Sequence, residues 1–360
     1  MNVVLTALQE QISQLDDGAR LPTVRELMKT FRVSQATVQD ALTRLREAGL
    51  LTSQVGRGTY VTKSQEERRI VRPPDEHLDS LLILANASLN ERCVLVQNYI
   101  VDEMSRSGSK VVQISYHNTS HLLDMLSSIP DFDAVVLQSH YENIPIRLLH
   151  LLQDKARALV VDGHSVSGVD LDRVGTDWEE ALDMALDHLH ELGHRSIALA
   201  SLDTMAQPIL SVRRAFERIG RRAPDNARHF GPITLRGVLH PTQSVELALK
   251  GALEGLLDED HRLPFTAMIT LGISDALGIG RCLDELGISY PDKLSVFILG
   301  HHDVPTEHFG SMSMAGSSYL EGAQQLVKTI HRRLNSPELP PQIVYLGCSQ
   351  VIRSSTTSPE

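Results

Sequence analysis

Aromatic and sulfur side chains are scarce in this 360-residue sequence: Phe, Tyr and Trp together make up 4%, with a single Trp, and there are three cysteines. Cys93, Cys282 and Cys348 stand far apart, which suggests neither a disulfide framework nor a CxxC metal site and leads us to expect a reducing, cytoplasmic setting. No apolar run approaches the roughly 18 residues needed to span a bilayer, so no membrane partner is expected. The opening stretch MNVVLTALQEQISQLDDG lacks a basic leader and a small-residue cleavage site, and reads as an amphipathic helix. A G-x-S-x-G elbow and a P-loop are also missing, and we expect neither an enzyme nor a cofactor.

Basic charge is short overall, with a formal net charge of −11, but its distribution is uneven. Residues 1–63 carry eight Lys/Arg against six Asp/Glu, whereas the remainder carries 26 against 39. Phosphate repels an acidic body, so any contact with DNA is expected to be confined to the small N-terminal part. Its weak positive balance implies modest affinity per subunit and favours binding as a homodimer. The length itself predicts more than one domain. We divide the chain into a head (1–63), a charged linker (64–77) broken by Pro73-Pro74, and a body (78–360).

What the head contains is more specific. A first helix is expected over residues 2–15, and a second from Thr23, which with Glu26 has the form of a capping box. The third begins after Ser34 and ends near Gly49. Val38, Ala41, Leu42 and Leu45 form its apolar stripe, leaving Gln35, Gln39, Thr43 and Arg46 on the other face. A helix so divided suits the major groove, where base edges present donors and acceptors. Two β-prone runs, LLTSQ and TYV, joined by VGRG then predict a hairpin with a glycine-rich tip.

In order, LPTVREL, VSQATVQDALTRLREAGLL and GRGTYV resemble the winged helix-turn-helix of the GntR family along its whole length. The resemblance implies DNA contacts from Arg25, from Ser34, Gln35, Ala36, Thr37 and Gln39 at the recognition helix, and from Gly56, Arg57 and Gly58 in the wing. Many members have arginine where this chain has Gln35 and Gln39. Arginine suits guanine O6/N7 and glutamine suits adenine N6/N7, so an operator richer in A·T at the positions read is expected.

In the body, β-prone runs alternate with helical patterns, the mark of parallel α/β sheets. Strands are expected at 81–87, 110–115, 133–138, 158–163, 195–201, 266–272 and 294–299. About 280 residues suggest two lobes facing a cleft. Three segments, DRVGTDWEEALDMALDHLHELGHRSIALAS, ALGIGRCLDELGISYPDKLSV and IRSST, resemble the LacI/GalR family with its periplasmic-binding-protein-like fold. A GntR-type head on such a body is the arrangement of arabinose-repressor-type regulators. The resemblance implies a DNA-binding regulator, repressing by default, with control by a small-molecule effector or a body that only dimerises.

Three positions that hold sugar-bonding side chains in that family fall here at Pro208, Gly272-Ile273 and Gly300. A site built on buried hydroxyl recognition does not survive losing those anchors, so an ordinarily bound sugar is not expected. Asp177, Asp275, His301, His302 and Asp303, near predicted strand ends, are the replacement candidates. His190 and His194, read as i, i+4 on one helix face, lack a completing set of ligands, and no metal site is expected.

Overall fold

In the computed structural model the chain divides into two compact units, Met1–Pro74 and Asp75–Glu360. The structure describes residues 8, 15, 18–31, 33–47, 50–54, 58–61, 78–87, 90–139, 144–164, 168–222, 228–236, 244–305 and 311–359. The expected linker, 64–77, and most of the first expected helix lie outside these residues, although Leu8 is helical and buried.

In the first unit, α1 (Val24–Phe31) and α2 (Gln35–Glu47) precede a two-stranded antiparallel hairpin of β1 (Leu51–Gln54) and β2 (Gly58–Val61). The capping box closes as its spacing predicts. The Thr23 N–H donates to the Glu26 carboxylate at 2.7 Å, and the Glu26 N–H donates back to Thr23 Oγ1 at 3.4 Å. Ser34 caps α2 by accepting from the Thr37 N–H at 3.2 Å. Val38, Ala41, Leu42 and Leu45 are all buried, against Leu8, Leu21, Leu27, Leu51 and Val61. Val61 also exchanges backbone hydrogen bonds with Gly18 and Ala19, which staples the hairpin to the segment before α1.

The second unit holds two six-stranded sheets. The first contains β3 (Ser80–Asn86), β4 (Lys110–Tyr116), β5 (Phe132–Gln138), β6 (Ala156–Asp162), β7 (Asp172–Thr176) and β13 (Ile343–Leu346). Their order is β13-β7-β6-β5-β3-β4 and every pairing is parallel. The second contains β8 (Ser196–Leu202), β9 (Arg228–Leu235), β10 (Ala267–Leu271), β11 (Ser295–Leu299), β12 (Ser313–Gly316) and β14 (Ser349–Val351). Its order is β14-β12-β11-β10-β8-β9, with β14 antiparallel at the edge.

Parallel strands need crossover helices, and these cover both faces of each sheet. On the first, α3 (Glu91–Arg106) and α10 (Tyr319–Asn335) bury one face, and α4 (Thr119–Leu126) and α5 (Ile146–Lys155) bury the other. On the second, α6 (Trp178–Glu191) and α7 (Gln207–Gly220) oppose α8 (Val245–Glu254) and α9 (Ala276–Glu285). All seven expected strands form, within about two residues of their expected bounds. β7, β9, β12, β13 and β14 were not expected.

The chain passes between the sheets three times. It leaves β7 for α6, leaves β12 for α10, and runs from β13 to β14. The crossings are tied side by side. Thr176 Oγ1 and Ser317 Oγ, both buried, lie 2.6 Å apart. The Cys348 N–H donates to Glu180 Oε2 at 3.1 Å, and its thiol donates to the Asp177 carbonyl at 3.2 Å.

Candidate DNA-reading surface and ligand cavity

On the head, α2 turns its apolar stripe inward and leaves Gln35, Ala36 and Gln39 exposed. Gln35 and Gln39 stand at i, i+4 and so share one face, with Thr43 and Arg46 exposed further along the helix. Thr37, half-buried, is held by Ser34, its Oγ1 2.9 Å from Ser34 Oγ. Arg25 is exposed in the first turn of α1. An exposed ion pair, Arg44–Asp40 at 3.1 Å, braces the outer side of α2. Gly58 opens β2, while Gly56 and Arg57 lie outside the described residues.

In the body, a cavity of ≈ 80 Å³ opens among strand ends of both sheets. Open α/β sheets bind ligands at the carboxyl ends of their strands, and that is where it lies. From the first sheet, Gln138 ends β5 and Asp162 ends β6, and Arg92 reaches in from the first turn of α3. Arg92 Nη1 and Nη2 donate to the two Asp162 oxygens at 3.0 and 2.7 Å. Gln138 Nε2 donates to Asp162 at 2.7 Å, and Gln97 Nε2 donates to Gln138 Oε1 at 2.7 Å. Burial alone would push the Asp162 carboxyl up. The Arg92 charge and the donors from Arg92 and Gln138 outweigh burial and hold it below the ordinary range.

The second sheet contributes Pro208, Gly272, Ser274, Leu299, Gly300 and His301. Pro208, Gly272 and Gly300 are the positions where the sequence lacks sugar-bonding side chains, whereas Ile273 is buried in the core. His301 Nδ1 lies 2.9 Å from the Ser317 carbonyl, which can only accept, so Nδ1 carries the proton. Burial, helped by the Arg92 charge, pushes its pKa down to about 3 and keeps the ring neutral. Trp178 meets it edge-on, ring centroids 5.3 Å apart. Two glycines permit the close packing behind. A Cβ on Gly175 would come within 2.9 Å of Gly163 Cα, and one on Gly316 would collide with the Gly300 carbonyl.

Among the five effector candidates from the sequence, His301 lines the cavity and the others do not. Asp177 accepts from the N–H groups of Glu179 and Glu180 and caps α6. Asp275 caps α9 through Leu277 and Gly278. Asp303 binds Ser318 Oγ and the N–H groups of Tyr319 and Leu320, at the start of α10. His302 lies 4.0 Å from Asp303. Such carboxylates look like ligand anchors in a sequence because strand ends and helix starts coincide in this fold. Arg92, Gln138, Asp162, Trp178 and Ser274 were not singled out from the sequence. The polar residue ending an apolar run, as in DAVVLQ and ALVVD, is the signal that finds two of them.

Residues 190–194 read H-E-L-G-H, the spacing of a zinc-binding helix, and the expectation of one shared helix face is corrected here. The helix ends at Glu191 and Gly193 turns the chain at φ +100°. His194 is buried, bonded to Thr266 Oγ1 at 2.8 Å and to the Thr357 carbonyl at 2.8 Å. Among the described residues no group of three metal-ligating side chains converges, and no helix is long and apolar enough to cross a membrane.

Residues 2–61 match the model of bacterial regulatory proteins of the gntR family, and residues 186–356 match that of a periplasmic binding protein-like domain. The chain is a GntR-type head on a periplasmic-binding-protein-like body. It is 28% identical over 155 residues to the uncharacterized HTH-type transcriptional regulator YurK of Bacillus subtilis (strain 168). That match covers 37% of this chain and 64% of the relative's length. Among solved structures, a LacI family transcriptional regulator from Enterococcus faecium with bound ribose superposes with a TM-score of 0.63 at 20% identity, covering 78% of this chain and all of that one. A transcriptional regulator CelR–cellobiose complex gives a TM-score of 0.59 at 16% identity, over 90% of this chain and 91% of the other. These likenesses establish the body's fold.

Proposed function

We propose that this chain is a sequence-specific DNA-binding transcription regulator, a cytoplasmic repressor that binds a pseudo-palindromic operator as a homodimer and has no catalytic centre. The observation that carries this reading is α2: capped by Ser34, anchored by four buried residues, and presenting Gln35 and Gln39 outward from a gntR-type head. A two-fold dimer sets two such helices on half-sites about one helical turn apart. Arg25, Ser34, Gln35, Ala36, Thr37 and Gln39 contact DNA together with the wing residues Gly56, Arg57 and Gly58. Residues 1–63 serve as head, 64–77 as linker and 78–360 as body. Selected-site sequencing with the full chain tests the reading. A·T-rich positions within paired half-sites are expected; G-rich half-sites would overturn the A·T preference drawn from Gln35 and Gln39, and no enrichment would overturn the regulator reading itself.

The body holds a small effector in the cavity between its sheets, and not a sugar gripped in the ordinary way, because Pro208, Gly272 and Gly300 offer no side-chain donors or acceptors there. One observation favours a second reading, a body that only dimerises: Arg92, Asp162 and Gln138 already satisfy one another. Calorimetry of the full chain with a metabolite extract, against the Asp162→Ala variant, separates the two. Heat seen with the parent and lost in the variant supports an effector.

A further inference from the structure

The cavity has two unlike walls, and together they describe what enters it, provided that it is an effector site as proposed above. One wall is the chain Gln97–Gln138–Asp162–Arg92, in which the Asp162 carboxylate and Arg92 guanidinium pair face to face and their charges cancel. The other wall, Pro208, Gly272, Leu299 and Gly300, has no polar side chain, and Ser274, His301 and the Trp178 indole are the polar side chains beside it. His301 is neutral, with its proton on Nδ1 and held by Ser317, so Nε2 is an acceptor.

A charged ligand fits this arrangement poorly. An anion would draw Arg92 from Asp162, and a cation would draw Asp162 from Arg92. Either leaves a charge stranded in a low-dielectric site. A polyol fits poorly for another reason. Its hydroxyls point all round, and those facing Pro208 and Leu299 lose water without gaining a partner. The Asp162–Arg92 pair, by contrast, sets an acceptor beside a donor, the complement of an N–H beside a C=O.

We infer that the cavity takes a small uncharged molecule that hydrogen-bonds along one edge, through an adjacent carbonyl and N–H of the amide or lactam kind, and is apolar along the other. The edge pairs with Asp162 and Arg92, and the apolar side lies on Pro208 and Leu299.

Four probes with the same number of heavy atoms test this by ligand-observed NMR titration of the full chain: isobutyramide, isobutyrate, isobutyramidine and glycerol. The first three share a shape and differ in charge. Isobutyramide is expected to bind at least ten-fold more tightly than the other three. Asp162→Asn, which breaks the acceptor–donor pattern, is expected to lose that margin. Pro208→Gln, in the half-exposed first turn of α7, adds a polar group to the bare wall without disturbing the core, and is expected to narrow the gap between amide and glycerol to within about three-fold. Glycerol or either ion matching the amide overturns the inference and leaves the effector cavity standing. Amide binding unchanged in both variants overturns it too, since the contact then lies elsewhere. No binding by any of the four probes overturns the inference, and calorimetry with the metabolite extract then decides the effector reading separately.

Discussion

Asp162→Ala deletes the acceptor on which three donated hydrogen bonds converge, two from Arg92 and one from Gln138. The Asp162 side chain is 1% exposed and that of Arg92 14%, so the guanidinium left behind has little water to turn to. Removing one partner of a buried pair costs about 3 to 5 kcal/mol, and the unpaired Gln138 amide places this variant toward the upper part of that range. Replacing both charges, as Arg92→Met with Asp162→Leu, leaves no stranded charge and is expected to recover most of the loss. Urea unfolding followed through Trp178, the one tryptophan, reads the body alone. With a urea slope of roughly 3 kcal/mol per molar, the Asp162→Ala midpoint is expected to fall by about 1 M or more. A loss under about 1 kcal/mol, or a double variant as unstable as the single, would refute the claim that the pair is buried and mutually dependent. The pH dependence follows from the same bonds. Held below its ordinary value of 3.8 in the folded state, Asp162 contributes stability that is present above that pH and lost as pH falls through the folded value.

His301 titrates near 3 when folded and 6.5 when unfolded, so its contribution is complete above pH 6.5 and falls away below it. His301→Gln is expected to reduce the stability lost between pH 7 and pH 5 by about 2 kcal/mol in the same urea assay, and an unchanged difference would contradict the assigned neutral ring. Thr176→Val strands the buried Ser317 hydroxyl between two crossings and is expected to cost about 1 to 3 kcal/mol, read as a lower urea midpoint. On the head, Leu45→Ala is expected to destabilise by about 2 to 5 kcal/mol, seen in amide exchange across α2. Gln39→Ala is expected to leave the fold intact and weaken operator binding by about 1 to 3 kcal/mol in fluorescence anisotropy, with relaxed sequence preference at one position.

How much of this was legible in the sequence depends on what each residue answers to. Thr23 with Glu26, Ser34, and the stripe from Val38 to Leu45 are local patterns, spanning from one to about two turns of helix, and the structure repeats their spacing. Six of the seven expected body strands are buried along most of their length, so they read as near-continuous apolar runs, whereas β4, at the edge of its sheet, is mostly exposed and owes its legibility to its β-branched residues. The five that were not expected lack that signature. β9 includes Gly231-Pro232 beside a register shift, and its edge position tolerates the missing N–H. β12 is four residues of Ser, Met, Ala and Gly, and β13 and β14 are short edge strands with exposed positions. The cavity was harder still. Arg92 and Asp162 meet across 70 residues, a pairing that no local pattern specifies. The aspartates that did stand out, Asp177, Asp275 and Asp303, have their carboxylates engaged at helix starts, where a capping role and a ligand role carry the same residue type.

The cavity and the three crossings are made from neighbouring residues, and this bears on how an occupant acts on the body. Gly175 and Thr176 line the cavity, and Thr176 bonds across to Ser317 on the next crossing. His301 lines it too, and is fastened to the Ser317 carbonyl. Asp303, two residues on, fixes the start of α10, which leaves the second sheet and packs on the first. An occupant touching both walls would therefore touch residues that are bonded to the crossings. Ligands shift an equilibrium only by their difference in affinity between its states, and under the proposed reading a molecule bonded along one edge to Asp162 and Arg92 would favour any state that brings Pro208 and Leu299 against its apolar side. A two-faced polyol would gain little from that closure against a wall with nothing to bond it. If the proposed ligand enters, the bare wall is what would give it leverage over the body, and adding a polar side chain at Pro208 is expected to weaken that leverage before it weakens the fold.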